Sequence, residues 1–325
     1  MYHSSNLPQR PSRIKQKCSR IFETAAISAQ RSNWVSVVNF KFLHYVLAGT
    51  LALCATTVKA ERPFTSPDIL VLGDSQLSFG AGPAFVSFLT MLDKNCGVTT
   101  TDDLSVGVIG VRSTSLATWV AKSSRAKGPI CNVDPKWRVN AGAYGSVNRS
   151  GNQYVQIGQG APYQFCKKGK SAFEAMFENS YYTPRLVILF FLGNAAERWA
   201  GSAQTTLQDV AESMRQIPQN VPCIFMTTAP PYSQKVLDLR LDAQSNLQQA
   251  FASAGKRCTF IPGLNAATIA ANLGRNESFR RTKSGKVKDP FHPTEAAAAK
   301  FLRLNRAKLC KAIASQLMIR TAEAP

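Results

Sequence analysis

Five short apolar runs, with helical spacing between several of them, are the feature that most constrains how this 325-residue chain can fold. The runs occupy positions 69–72 (ILVL), 106–111 (VGVIGV), 186–192 (LVILFFL), 221–226 (VPCIFM) and 258–261 (CTFI). Continuous apolar runs rich in β-branched residues are typical of parallel strands that are covered on both faces. Helical spacing at 83–93, 204–216, 238–254 and 294–317 would supply the covering layers. We therefore predict a three-layer α/β/α sandwich around a five-stranded parallel sheet, with the functional site at the carboxyl ends of the strands.

The interval between the second and third runs is too long for a single connection. We predict an insertion there, at about 116–185. Its middle part, 136–160 (KWRVNAGAYGSVNRSGNQYVQIGQG), is rich in glycine, asparagine and aromatic residues and contains short β-like runs. The composition indicates an inserted hairpin or cap over the sheet.

Residues 1–60 have the pattern of a targeting segment. They carry eight lysines and arginines against Glu23 alone, and an apolar stretch at 43–57 follows Lys41. Small residues close the stretch, so it is typical of a secretory signal peptide, with an uncleaved membrane anchor as the alternative. We therefore expect 61–325 to form the mature domain. It would be exported to the periplasm or the extracellular space, or tethered to the membrane in the alternative case.

Six of the eight cysteines lie beyond position 60, and an even number in an exported chain indicates disulfides. Cys223 and Cys258 would begin adjacent parallel strands at matching depth, so they are a plausible pair. A second bridge would close the insertion, and the third would join the first and last helices. These two remaining pairs are Cys131–Cys166 and Cys96–Cys310. Because His292 is the only histidine of 61–325, we expect no zinc site, no other metal and no organic cofactor.

The candidate catalytic residues are a serine and a histidine near opposite ends of the predicted domain. Ser75 follows the first apolar run, and Asp289 precedes His292 by three positions. A serine hydroxyl is a weak nucleophile until a base takes its proton, and His292 is the base available near neutral pH. Asp289 is placed to hold the imidazole in one tautomer and to stabilise the imidazolium. The pattern predicts a serine hydrolase.

Gly73-Asp74-Ser75 after a strand, and Asp289-x-x-His292-Pro293 before the last helix, resemble the first and last sequence blocks of the SGNH (GDSL) hydrolase superfamily. The resemblance covers most of 61–325, in the right order and on the right elements. It implies a flavodoxin-like α/β/α fold and a serine esterase activity. It also implies that Ser75 is the nucleophile, His292 the general base and then acid, and Asp289 the orienting carboxylate.

The middle blocks of the family are matched less closely. Members place an oxyanion-hole glycine after the second strand, where this chain has Ser113, with Gly110 as the other candidate. A backbone N–H serves with any side chain, provided that a residue other than glycine can adopt the local φ and ψ. The third block is usually Gly-x-Asn, but here Asn194 directly follows Gly193. The predicted oxyanion donors are the N–H of Ser75, the N–H of Ser113 or Gly110, and the side-chain amide of Asn194.

Substrate contacts are predicted from position and charge. Arg112 and Trp199 lie just beyond strand ends and could line the pocket, although packing is the alternative for Trp199. Six basic residues precede Asp289 within 275–288: Arg275, Arg280, Arg281, Lys283, Lys286 and Lys288. This loop would either steer an anionic substrate into the site or simply increase solubility. No nucleic-acid-recognition module interleaves aromatic residues with these charges, so a nucleic-acid partner is not expected.

Together these features predict an exported serine esterase that hydrolyses acyl esters, O-acetyl above all, on a cell-envelope or extracellular carbohydrate. The expected partner is an acylated, anionic carbohydrate or lipid, with association at a membrane or cell-wall surface. Two alternatives stay open. The chain could be a lipid esterase, lysophospholipase or thioesterase, or it could be a non-catalytic SGNH-like domain that binds glycan.

Overall fold

The structure is a computed structural model that describes residues 66–97, 104–122, 144–148, 167–178, 182–255 and 257–322. The predicted leader, 1–60, lies outside these residues, as do Cys131 and Cys166. The strands are β1 (Ile69–Gly73), β2 (Val106–Gly110), β3 (Tyr144–Asn148), β4 (Leu186–Phe190), β5 (Cys223–Met226), β6 (Cys258–Ile261), β7 (Phe279–Arg281) and β8 (Val287–Pro293). The α-helices are Gly82–Leu89, Leu92–Cys96, Leu116–Val120, Ala172–Phe177, Ala196–Gly201, Ala203–Gln216, Gln234–Ser253, Ala266–Asn272, Glu295–Leu304 and Arg306–Ala322.

The main sheet of the described residues has the strand order β3-β2-β1-β4-β5-β6. The five predicted strands are all present and all parallel to their neighbours among themselves, which confirms the predicted sheet. Their order is that of a doubly wound flavodoxin-like sheet, in which the chain first runs to one side of β1 and then returns to the other side. The crevice of such a sheet opens at the carboxyl ends of β1 and its neighbours.

A sixth strand makes the sheet larger than predicted. β3 comes from the insertion and pairs with β2 in the antiparallel direction, with Tyr144 opposite Gly110. Apolar periodicity does not reveal this strand because its sequence, YGSVN, lacks the continuous apolar character of the central strands. An antiparallel edge strand on an otherwise parallel sheet is common in large α/β folds.

The three layers follow from the alternation of side chains along the buried strands. Every residue of β1 is buried, and successive side chains point to opposite faces. Leu70 and Leu72 belong to the apolar cluster on one face, while Ile69 and Val71 belong to the cluster on the other face. Both faces are therefore covered, as the continuous apolar runs predict.

Two disulfides join elements that are distant in sequence. Cys223 on β5 pairs with Cys258 on β6, and these two residues are also opposite each other in the strand register. Cys96, at the end of an early helix, pairs with Cys310 in the last one. Both pairs are those expected from the sequence. Among the described residues, no helix is both long and apolar enough to span a membrane.

Candidate active site

Ser75 lies on a tight turn at the carboxyl end of β1. The Asp74 carboxylate accepts the N–H of Gln76 at 2.8 Å, and the Asp74 carbonyl accepts the N–H of Leu77 at 3.2 Å. A π-helical turn, Leu77–Ala81, follows directly. These bonds close the turn, so that the Ser75 side chain stands at the edge of the sheet.

Asp74 is a buried carboxylate with only 2% of its surface exposed. Burial raises the pKa of Asp74 to about 6, although backbone N–H donors and the charge of Arg240 act in the opposite direction. Above that pH the group is ionised, and it then holds the turn through its bond to Gln76. Its bonds are therefore those of a structural residue in the turn.

Arg240 is a buried cation whose charge stabilises the ionised form of Asp74 in this turn. It lies on the helix Gln234–Ser253 and is 4% exposed, and burial lowers its pKa to about 10, so it stays protonated at neutral pH. Its Nη1 donates to the carbonyl oxygen of Ala229 at 3.2 Å. A Cβ atom at Gly193 would lie 2.9 Å from Nη2, so the glycine gives the guanidinium its space. Sequence reasoning missed Arg240; the available signal was an arginine on the buried stripe of an amphipathic helix.

The structure brings together the three residues of the predicted triad. Nε2 of His292 lies 2.7 Å from Oγ of Ser75, which is 217 positions away in the chain. Nδ1 of His292 lies 2.8 Å from Oδ2 and 3.0 Å from Oδ1 of Asp289. Because Nδ1 faces a carboxylate, the neutral ring carries its proton there, and Nε2 is free to accept the serine proton.

Asp289 lies on β8, where neighbouring backbone N–H groups hold its side chain in place. Its Oδ1 accepts the backbone N–H groups of Phe291 at 3.1 Å and His292 at 3.2 Å. β8 is also bonded to the segment after β5, because the N–H of Tyr232 donates to the carbonyl of Pro290 at 2.9 Å. The carboxylate therefore stays fixed while it orients the imidazole.

Gln76 connects the turn that carries Ser75 to β8, the strand that carries His292. Its Nε2 donates to the Phe291 carbonyl at 3.2 Å, and its Oε1 accepts the N–H of Ala229, also at 3.2 Å. Gln76 is 2% exposed, so both bonds are shielded from water. Gly80 allows the π-helical turn to lie close to the end of β8, since a Cβ at this position would lie 2.5 Å from the carbonyl oxygen of Pro293. Sequence reasoning did not single out either residue.

Two of the predicted oxyanion donors line the cleft beside Ser75. Ser113 is exposed there and has φ of 60°, the left-handed region, which no other non-glycine residue adopts in the described part of the chain. Asn194 also lines the cleft; its Nδ2 donates one hydrogen to the Thr114 carbonyl at 2.8 Å, which leaves the second available. The alternative donor, Gly110, does not line the cleft: it ends β2, and its carbonyl accepts from Ser78 Oγ. The structure thus favours Ser113 over Gly110.

The backbone of Ser113 allows a test with substitutions of opposite effect. The left-handed region costs a residue other than glycine about 1–2 kcal/mol. We expect Ser113→Gly to keep the rate of p-nitrophenyl acetate turnover within about threefold. Relief of the left-handed strain raises the free energy of unfolding, whereas the larger chain entropy that glycine loses on folding lowers it, so the net change should lie between zero and about +1 kcal/mol. Ser113→Val should lower that free energy by about 1–2 kcal/mol, because a β-branched side chain fits the region worst, and should slow hydrolysis. Urea unfolding measures the free energy of unfolding, and p-nitrophenyl acetate turnover measures the rate. Equal stability and equal rates in the two variants would contradict a left-handed backbone at Ser113.

The cleft has a volume of about 590 Å³ and a mixed lining. Besides the residues above, it is lined by Phe79, Arg112, Glu197, Val236, Leu239 and Phe291. The ring of Phe79 packs on the ring of His292, with 4.4 Å between centroids, so it supports the imidazole from one side. Among the described residues, no three His, Cys, Asp or Glu side chains lie close enough to hold a metal ion.

Trp199 does not line the cleft, contrary to the prediction that it contacts substrate. Its side chain is 0% exposed, and its indole N–H donates to the buried carboxylate of Asp209 at 2.9 Å. The same carboxylate accepts two bonds from Arg198. The helix Ala196–Gly201 turns this side chain into the core, so Trp199 has the packing role that was the alternative. Arg112, in contrast, does line the cleft.

No protein-family model matches the chain, and no curated protein matches it in sequence. Similar solved structures include a DUF4886 family protein from Bacteroides uniformis, at 13% identity and a TM-score of 0.42, covering 79% of this chain and 95% of the other. A family 3 carbohydrate esterase from Clostridium thermocellum is similar at 14% identity and 0.40, covering 77% and 100%. The catalytic domain of peptidoglycan O-acetyltransferase A from Streptococcus pneumoniae is similar at 12% and 0.36, covering 80% and 97%. These likenesses are remote.

Proposed function

We propose that this protein is a serine ester hydrolase. The observation that carries the proposal is the continuous hydrogen-bonded chain from Ser75 through His292 to Asp289, with distances of 2.7 and 2.8 Å, at the edge of an open cleft. A nucleophile, a base within hydrogen-bonding distance and a group that orients the base together form the arrangement required for acyl transfer. A turn serine with only a structural role would not need a half-buried histidine–carboxylate pair opposite its hydroxyl.

The mechanism follows from these positions. Nε2 of His292 takes the proton of Ser75 as Oγ attacks the ester carbonyl, and the resulting imidazolium is stabilised by Asp289. The N–H groups of Ser75 and Ser113, with the amide of Asn194, stabilise the negative oxygen of the tetrahedral intermediate. His292 then protonates the leaving alcohol, and water hydrolyses the acyl-enzyme by the same route in reverse.

The lining of the cleft supports a polar alcohol half and a short acyl group. Asn194, Glu197 and Arg112 offer hydrogen-bonding groups that suit the hydroxyls of a sugar, while Val236 and Leu239 offer a small apolar surface. We therefore propose an O-acetyl ester on an exported or cell-envelope carbohydrate as the substrate. A second candidate is a lipid ester, favoured by Phe291, which is 45% exposed at the cleft and could contact an acyl chain.

The experiment compares acyl groups and alcohol groups on the full chain. We expect p-nitrophenyl acetate to be hydrolysed with a kcat/KM at least about tenfold above the octanoate ester, and acetate to be released from acetylated xylan but no fatty acid from lysophosphatidylcholine. The reverse preference would support the lipid esterase. A fluorophosphonate probe should label Ser75, as seen by peptide mass spectrometry. Absence of both labelling and turnover would support the glycan-binding domain instead.

A further inference from the structure

We propose that Arg112 and Arg280 form an anion subsite beside the catalytic histidine, which binds a carboxylate on the sugar that carries the ester. The substrate class is then an O-acylated acidic glycan. This inference rests on the proposed function and names the feature of the substrate that this site selects. Its test can fail while the esterase assignment stands.

Two arginines from separate elements converge on one aromatic ring. Cζ of Arg112, in the loop after β2, lies 4.2 Å from the centroid of the Phe79 ring. Cζ of Arg280, on β7, lies 5.9 Å from the same centroid. Phe79 in turn packs on His292, with 4.4 Å between ring centroids. The Phe79 ring therefore lies next to both guanidinium groups and to the imidazole of His292, which takes the serine proton.

Among the described residues, no carboxylate forms an ion pair with either charge, although Arg280 is opposite Asp289 in the β7–β8 register. Both distances are measured from one point, so the two Cζ atoms lie within about 10 Å of each other, close to the screening length of about 8 Å at physiological ionic strength. In the part of the chain that the structure describes, neither Arg112 nor Arg280 forms an ion pair. Asp289 is engaged by His292 and by two backbone N–H groups. Bringing two like charges together costs free energy that an anionic ligand would offset.

Acidic groups near the site do not remove this positive character. Asp74 is buried beneath the serine turn, where Arg240 faces it. Glu197 lines the cleft and is exposed, so it adds one negative charge on the wall formed by the helix Ala196–Gly201. Arg112 lines the cleft, whereas Arg280 lies on the β7–β8 hairpin outside the cleft lining, together with four further exposed cations: Arg281, Lys283, Lys286 and Lys288. The balance at the mouth favours an anion.

A carboxylate fits the chemistry of the pair. A guanidinium above an aromatic face keeps its N–H edges free, and these edges form paired hydrogen bonds with the two oxygens of a carboxylate. A sugar acid has its carboxylate and its ester-bearing hydroxyls on one ring, a few ångströms apart. Such a unit could place the acyl carbonyl at Ser75 and its charge between Arg112 and Arg280.

The test compares matched charged and neutral esters with the full chain. The small pair is 4-acetoxybenzoate and its methyl ester; the polymer pair is acetylated polygalacturonate and acetylated xylan. We expect wild type to favour the charged member in kcat/KM by about tenfold or more at low salt, and the preference to shrink as salt rises. In the double variant Arg112→Gln/Arg280→Gln, the charged-to-neutral ratio should fall to near one. The matched control is Arg281→Gln, which removes the same charge from the adjacent residue of the same strand and should keep the ratio within about twofold of wild type.

Each outcome decides between the two proposals. If neither ester is hydrolysed, the proposed function itself fails. If both are hydrolysed with a ratio near one in wild type, or if the double variant keeps the preference, the subsite is overturned and the esterase stands. An equal fall of the charged-to-neutral ratio in Arg281→Gln would also overturn the subsite, because the preference would then depend on the net charge of the protein and not on the positions of Arg112 and Arg280. If 4-acetoxyphenyl phosphate shows a larger arginine-dependent preference than the benzoate, the carboxylate assignment is wrong.

Discussion

Replacing Ser75 with alanine should lower kcat for p-nitrophenyl acetate by about 10⁴–10⁶-fold, to the rate left by the oxyanion donors and binding alone. The expected size follows from the geometry. His292 Nε2 lies 2.7 Å from Ser75 Oγ, and among the described residues no other hydroxyl is recorded as bonded to that nitrogen. Without this Oγ no acyl-enzyme can form. The double variant Ser75→Ala/His292→Ala should be no slower than Ser75→Ala, because the two residues act as a unit.

The matched control for this prediction is Ser78→Ala. Ser78 lies three positions further along, and its Oγ donates to the Gly110 carbonyl at 2.8 Å, away from His292. Losing that bond should cost about 1 kcal/mol in the free energy of unfolding and leave turnover within about threefold. Steady-state kinetics at protein concentrations set by absorbance measure kcat for both variants, and urea unfolding measures their stability. Retention of more than about a tenth of wild-type kcat by Ser75→Ala would rule out Ser75 as the nucleophile.

The second large effect is expected from Asp289→Asn, with kcat lower by about 10³–10⁴-fold and KM changed little. An asparagine amide in place of Oδ2 would face Nδ1 of His292 with hydrogens, which favours the tautomer protonated on Nε2. That tautomer cannot accept the proton of Ser75. The loss falls on kcat because the carboxylate acts mainly on the imidazolium, which forms only during the reaction.

Asp238→Asn serves as the control for charge removal alone. Asp238 is exposed on the helix Gln234–Ser253, where it accepts a hydrogen bond from Gln234. It should keep wild-type kinetics and melting temperature. Steady-state kinetics with Tm measurement on both variants separate the tautomer effect from unfolding. An Asp289→Asn variant within about tenfold of wild type would show that His292 needs no orienting carboxylate.

The sheet was predictable because burial on both faces leaves a local trace in the sequence. β1, β4 and β5 are continuous apolar runs, and no side chain in them faces water. The triad was predictable for a related reason. Asp289 and His292 are three positions apart, and Ser75 directly follows a strand, so local spacing together with the family resemblance pointed to these residues.

The sequence left alternatives open where the same local pattern fits two orientations. Trp199 follows a strand end, as a substrate-binding residue would, but its helix turns the indole into the core against Asp209. Gly110 and Ser113 were equivalent candidates until the path of the loop placed only Ser113 in the cleft. β3 was missed as a sheet member because an edge strand needs no continuous apolar run.

The sequence therefore indicated the parallel sheet, the carboxyl edge as the place for the site, and Ser75, His292 and Asp289 as residues that the structure brings together. Each of these depends on periodicity or on short spacing. Only the tertiary structure decided that Phe79 supports His292, that Arg112 and Arg280 meet over that ring, and that Ser113 takes a left-handed backbone. Such contacts join residues far apart in the chain, and they depend on how whole elements pack, which no local pattern records.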